Sequence, residues 1–177
     1  MQKSLTKNSI YNIIYTIANI LFPFATSIFV SRILLPAGVG KVASAQNIVS
    51  YFVTLAALGL PSYGVREFAK VREKKHERNK LFTELLLVNI ISTTLAVVGF
   101  TGLVVANEGF SGQWALYAAC GLSIAFNYLN IDWMYQGLEE YGYITGRSLL
   151  IKGISLLALF LFVKTREDYV IYALISS

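Results

Sequence analysis

The chain has 177 residues, of which 55% are hydrophobic and 14% charged, with a formal net charge of +5. A soluble fold of this size keeps about 30% of its unfolded surface in water, and a chain so poor in charge suits lipid better than an aqueous shell. The basic excess does not point to nucleic acid: seven of the fifteen Lys and Arg fall within residues 66–80, among Glu67, Glu73 and Glu77, with no interleaved aromatic beyond Phe68 and no glycine loop.

Residues 8–31, 42–65, 85–107 and 112–131 contain no Asp, Glu, Lys, Arg or His. About 20 helical residues cross the ~30 Å hydrocarbon core, so each run is long enough to span it. The first run follows Lys3 and Lys7 and precedes small residues (Ala25, Thr26, Ser27), but it exceeds the roughly 7–15 apolar residues of a secretory signal, so it reads as a retained helix. The expected spans are 8–31, 42–65, 83–107, 112–132, 143–163 and 168–177. The fifth carries Arg147 and Lys152, and the sixth is cut off at Ser177. Leu35-Pro36-Ala37-Gly38-Val39-Gly40 is expected to form the first turn. Pro23 and Pro61 lie within or at the ends of spans, where proline either kinks a helix into a hinge or, for Pro61, ends it. The fold class expected is an all-α polytopic membrane protein whose sequence reads as the first six helices of something longer. Lys and Arg mark the cytoplasmic side. With the N-terminus inside, Lys3, Lys7, the seven basics of 66–80 and Arg147 lie inside, against Arg32, Lys41, Lys164 and Arg166 outside.

Polar residues recur at helical spacing within the spans. Asn8, Asn12, Thr16, Asn19, Pro23 and Thr26 follow steps of three and four, as do Asn47, Ser50 or Tyr51, and Thr54. Asn89, Ser92 and Thr93 mark the third span; Ser123, Asn127 and Asn130 mark the fourth. An amide in hydrocarbon without a partner costs several kcal/mol, so these rows face one another or water. Interhelical hydrogen bonding explains any one of them; four parallel rows suggest a shared polar cavity.

No carboxylate lies inside the four uncharged runs; Glu84 and Asp132 sit at their ends. The buried charges are basic. Lys152 is about 14 Å into the fifth helix, too deep to snorkel with ease, and it shares a face with Thr145, Ser148 and Ser155. A cation there costs at least about 2.5–3.5 kcal/mol, which marks a site for an anion or a structural partner. Arg147, nearer the inner interface, either snorkels or joins the same path. The candidate path residues are Lys152, Arg147, Asn12, Asn19, Asn47, Asn127 and Asn130. Amides and hydroxyls match sugar hydroxyls while a cation neutralises phosphate. An exporter of organic cations, the alternative, needs buried carboxylates.

Enzymatic signals fail. Gly38-Val39-Gly40-Lys41 lacks the earlier glycine and following hydroxyl of a phosphate loop, and a dinucleotide reading through Ala43 lacks its acid about 20 residues on. His76 stands alone in a charged loop, and Cys120 has no cysteine partner. No metal or cofactor is expected.

Two blocks carry a resemblance: Ser31 to Glu67, with Leu35-Pro36, Gly38-Val39-Gly40, Gly59-Leu60-Pro61-Ser62-Tyr63-Gly64 and Arg66-Glu67, and Asp132-Trp133-Met134-Tyr135-Gln136-Gly137-Leu138-Glu139, continuing to Arg147. They closely resemble the Wzx-type polysaccharide repeat-unit flippases of the multidrug, oligosaccharidyl-lipid and polysaccharide exporter superfamily. The resemblance implies the N-terminal six-helix lobe of a MATE-like transporter in the bacterial inner membrane. Its partners would be undecaprenyl-pyrophosphate-linked oligosaccharide, membrane lipids and a C-terminal lobe of the same chain. It marks Arg66, Glu67, Asp132, Trp133, Gln136, Gly137 and Glu139 as motif members, expected to maintain fold or inner gate, with Asp132 and Glu139 paired to Arg66 or Arg147.

Overall fold

A computed structural model describes residues 5–177, with side chains described from Ser9 onward except at position 111. Lys3 and the side chains of Lys7 and Asn8, used in the orientation and the first polar row, lie outside the described residues. The elements are α1 (Leu5–Ala57), α2 (Leu60–Lys70), α3 (Lys75–Ala106), α4 (Glu108–Ser111), α5 (Trp114–Phe126), a 3-10 turn (Asn127–Leu129), α6 (Asp132–Gly137), α7 (Tyr141–Phe162) and α8 (Tyr169–Ser176). Among the described residues there is no strand.

Three helical stretches are long and apolar enough to cross a membrane, Ser9–Lys70, Lys75–Ala106 and Tyr141–Phe162, with Trp114–Leu129 a shorter apolar one. The first has 62 residues; straight, it would run to roughly three bilayer cores. It does not run straight. Leu35, at φ 57° and ψ 169°, leaves the helical region inside α1, and the contacts show that the chain reverses there. Near its start, the Tyr11 carbonyl accepts from Thr145 at the beginning of α7, and near its end the Ala56 carbonyl accepts from Ser92, beside the Asn89–Asn127 pair that leads into α6. Both ends of α1 therefore lie at the α6 end of the bundle. The reversal lies at the opposite end: Gly38 approaches the Arg166 carbonyl and the Lys41 ammonium lies 5.2 Å from the Tyr169 ring centroid. The expected six-residue turn contracts to one residue, because Pro36, lacking an N–H and fixed in φ, opens the second limb at the position a helix tolerates it. A second break follows at Leu58 and Gly59, both with positive φ, and Pro61 then occupies the first turn of α2. Pro61 thus neither kinks a helix nor ends one; it starts one.

The second limb of α1 buries Val42, Ala45, Val49 and Ala56, a helical face, against Ala96 and Phe100 of α3, Leu116, Ala119, Cys120 and Ile124 of α5, and Ala173 of α8. The first limb buries Val30 and Leu34 against Leu159 and Val163. The outward faces of α3 and α7 are apolar too: Leu95, Val98, Leu157 and Leu161 are each more than 60% exposed. In water such surfaces drive association; in lipid they are solvated. The protein is an all-α polytopic membrane protein.

Candidate transport site

The α1–α7 seam is built from two complementary helix edges. Tyr11, Tyr15, Phe22 and Phe29 recur on one edge of α1 at steps of four and seven, and α7 turns Thr145, Ser148, Lys152 and Ser155 to it, buried or half-buried. The Thr145 hydroxyl donates to the Tyr11 carbonyl at 3.0 Å. At the other end Phe29 meets Phe160 edge-on, with centroids 4.4 Å apart. Between them the Lys152 ammonium donates to Asn19 Oδ1 and lies 5.9 Å from the ring centroids of both Tyr15 and Phe22. Among the described residues no carboxylate pairs with it. Pro23 removes the N–H that would bond the backbone carbonyl of Asn19, the residue whose side-chain amide meets the cation. The Thr26 hydroxyl donates to the neighbouring Phe22 and Pro23 carbonyls at 3.0 and 3.1 Å.

The polar rows have different fates. Asn12, Thr16 and Asn19 remain exposed along α1, with the Thr16 hydroxyl donating to the Asn12 carbonyl. Asn47, Ser50 and Thr54 are exposed on the second limb, their hydroxyls turned to their own backbone. The rows of α3 and α5 instead close on each other. Asn127 Nδ2 donates to Asn89 Oδ1 and Thr93 Oγ1, both at 2.8 Å, and Asn89 Nδ2 donates to the Asn127 carbonyl at 2.8 Å. This knot is buried. Asn130 serves α6: its carbonyl accepts from Trp133 Nε1 at 2.9 Å. The structure therefore joins Lys152 to Asn19, keeps Asn12 on the same row, and holds Asn47, Asn127 and Asn130 elsewhere.

The motif residues form a clasp at the Tyr11–Thr145 end of the seam. Trp133 is buried against Phe68 of α2 and Phe82 of α3, and Gly64 and Gly137 permit the approach, since an added Cβ would come within 2.8 Å of the Trp133 ring or 2.5 Å of Phe68 Cβ. Arg147 of α7 pairs with Asp132. Glu139 pairs not with Arg66 or Arg147 but with Arg72, at 2.9 Å, and Arg72 also donates to the Gly137 carbonyl at 3.1 Å. Arg66 and Glu67 pair with each other at 3.1 Å, while Lys70 approaches Glu67 at 2.8 Å. Gln136 is half-buried on α6. Sequence reading missed Tyr15, Phe22 and Arg72. The seven-residue spacing of Tyr15, Phe22 and Phe29 was a usable signal; Arg72, one of seven basic residues in its stretch, carried none.

The family described as Polysaccharide biosynthesis protein matches residues 5–177. The chain belongs to this family. It is also similar to the protein named "Putative O-antigen transporter" of Escherichia coli (strain K12), at 22% identity over 174 residues, covering 98% of this chain and 42% of that relative. The chain thus spans less than half the length of this curated family relative. No solved structure matches it.

Proposed function

We propose that this chain forms the N-terminal lobe of a MATE-like flippase that moves undecaprenyl-pyrophosphate-linked oligosaccharide across the bacterial inner membrane by alternating access, for surface polysaccharide assembly. It acts as a transporter and not as an enzyme. The N-terminus is cytoplasmic, as the distribution of Lys and Arg favours; the α6 clasp then lies inside and the Leu35 reversal outside. A second lobe supplies the facing wall, with the exposed rows of Asn12, Asn19 and Asn47 turned to the cleft between them. The clasp holds the inner ends of α2, α6 and α7 together.

One observation carries the reading: Lys152, at membrane depth, is met by an amide oxygen and two aromatic rings and, among the described residues, by no carboxylate. A neutral partner orients an ammonium without cancelling its charge, so the site retains a need for an anion that a pyrophosphate meets. The family match and the relative's name support a polysaccharide precursor as the anion's carrier. The test is surface polymer in cells whose full-length protein carries Lys152→Ala, Lys152→Glu or Lys152→Arg at equal protein level. Loss with Ala and Glu and retention with Arg is expected. Wild-type polymer from Lys152→Glu would overturn the assignment, and gain of organic-cation export in that variant would favour a drug antiporter.

A further inference from the structure

The two sides of Lys152 along the seam are unlike. Toward the α6 end lie Tyr15, then exposed Thr16 and Asn12, about 10 Å of polar row beyond Asn19 by helical rise. Toward the α8 end lie Phe22 and Pro23, then the Phe29–Phe160 pair and the buried cluster of Val30, Leu34, Leu159 and Val163. A phosphate bound at the ammonium therefore has one direction in which a polar substituent finds exposed amide and hydroxyl groups; in the other, past half-buried Ser155 and a Thr26 hydroxyl already bonded to the backbone of its own helix, it meets hydrocarbon.

We infer that Tyr15 and Asn12 form the subsite for the sugar bonded directly to the phosphate. A pyranose has an apolar C–H face and a rim of hydroxyls. An aromatic ring takes the first, and a primary amide, which both donates and accepts, takes the second. Tyr15 is half-buried with its ring beside the cation, and Asn12 is exposed one turn further along the same face. A bare phosphate needs neither. The assignment rests on Lys152 as the anion site and adds which residues read the sugar.

The test uses purified full-length protein and two probes: a polyprenyl pyrophosphate without sugar, and the same lipid carrying one N-acetylhexosamine. Asn12→Ala should weaken the sugar-bearing probe by about three- to tenfold and change the sugar-free probe by less than about twofold; Tyr15→Ala, whose ring also borders the ammonium, should weaken the sugar-bearing probe about threefold or more beyond any loss on the sugar-free one, whereas Lys152→Ala weakens both. Loss that is equal for both probes, or absent for both, in the Tyr15 and Asn12 variants overturns the subsite while leaving the anion site standing. No change in either probe with Lys152→Ala overturns the anion site and the subsite with it. Should Tyr15→Ala fail to give a monodisperse protein, Asn12→Ala, at an exposed position, decides alone.

Discussion

Gly137→Ala isolates the close approach on which the clasp depends. A Cβ at this position would lie 2.5 Å from Phe68 Cβ, 2.9 Å from the Val65 carbonyl oxygen and 3.4 Å from the Ala69 amide nitrogen. Two of those three atoms are backbone, so no rotamer change makes room; α6 must lift from α2 by about 1 Å to restore an ordinary contact of ~3.5–4 Å. Lifting α6 draws Trp133 from between Phe68 and Phe82 and pulls Asp132 on its pair with Arg147. Overpacking of this kind costs about 1–3 kcal/mol. The helix-propensity gain of alanine over glycine, at most ~1 kcal/mol and smaller at a helix end, offsets part of it. A net loss of about 1–2 kcal/mol is expected. Gly102→Ala is the control, because Gly102 lies within α3, is exposed and would place its Cβ in open space; there the same substitution stabilises by roughly 0.5–1 kcal/mol. The assay is the temperature at which fluorescently tagged full-length protein loses its monodisperse gel-filtration peak, compared at one heating rate because such loss is irreversible. Gly137→Ala should fall by several degrees while Gly102→Ala holds or rises. Equal midpoints for the two variants would refute the packing argument.

Other consequences follow from the same contacts. Arg147 and Asp132 are only about two-thirds buried, so a double-mutant cycle with Arg147→Ala and Asp132→Ala should give a coupling near 1 kcal/mol, well short of a fully buried pair; no coupling would dismiss the ion pair as a link between α6 and α7. Asn127→Ala strips two donated bonds from a buried knot and should cost about 1–3 kcal/mol in the same thermal assay, against near-neutrality for Asn47→Ala on the exposed limb. Leu35 adopts a conformation that favours glycine, so Leu35→Gly should be tolerated in expression yield where Leu34→Gly, which empties a buried position, is not. Asp168 caps the α7–α8 connection by accepting from the Lys164 and Thr165 amides at 2.9 and 2.7 Å, and the Lys164 amide first, then that of Thr165, holds its carboxyl below the usual range. A depressed carboxyl contributes stability that is present above its unfolded value and lost as pH falls through the folded one. Acid-side loosening of this loop, followed by amide hydrogen exchange, should therefore disappear in Asp168→Asn.

Charge-free runs reported the helices because lipid imposes a length and a composition on any segment that crosses it. They did not fix the form of the turn: the reversal expected over 35–40 is made by the backbone of Leu35 alone, and 36–40 continue as helix once Pro36 has opened the limb. The asparagines show a deeper limit. Asn19 and Asn127 have the same chemistry and the same helical spacing, yet one meets a lysine on an exposed face and the other is buried in an amide knot. Periodicity gives the face of a helix, not what the face meets. Glu139 follows the same logic, since Arg66 on α2 and Arg72 just beyond its end are six residues apart and only the packing of Gly137 onto α2 brings Arg72 into reach. Lys152 was legible because a charge at membrane depth is anomalous whatever surrounds it; its aromatic walls became apparent only with α7 laid along α1.

An anion path past Lys152 requires that water reach it along the exposed Asn12–Asn19 row. Single cysteines at Asn12, Asn19, Lys152 and Leu157, each in a cysteine-free full-length protein in intact membranes, exposed to a membrane-impermeant charged thiol reagent, test it most directly. Labelling at the first three positions and none at Leu157 is expected. Cysteines at Asn19 and Lys152 as unreactive as the one at Leu157 would contradict it.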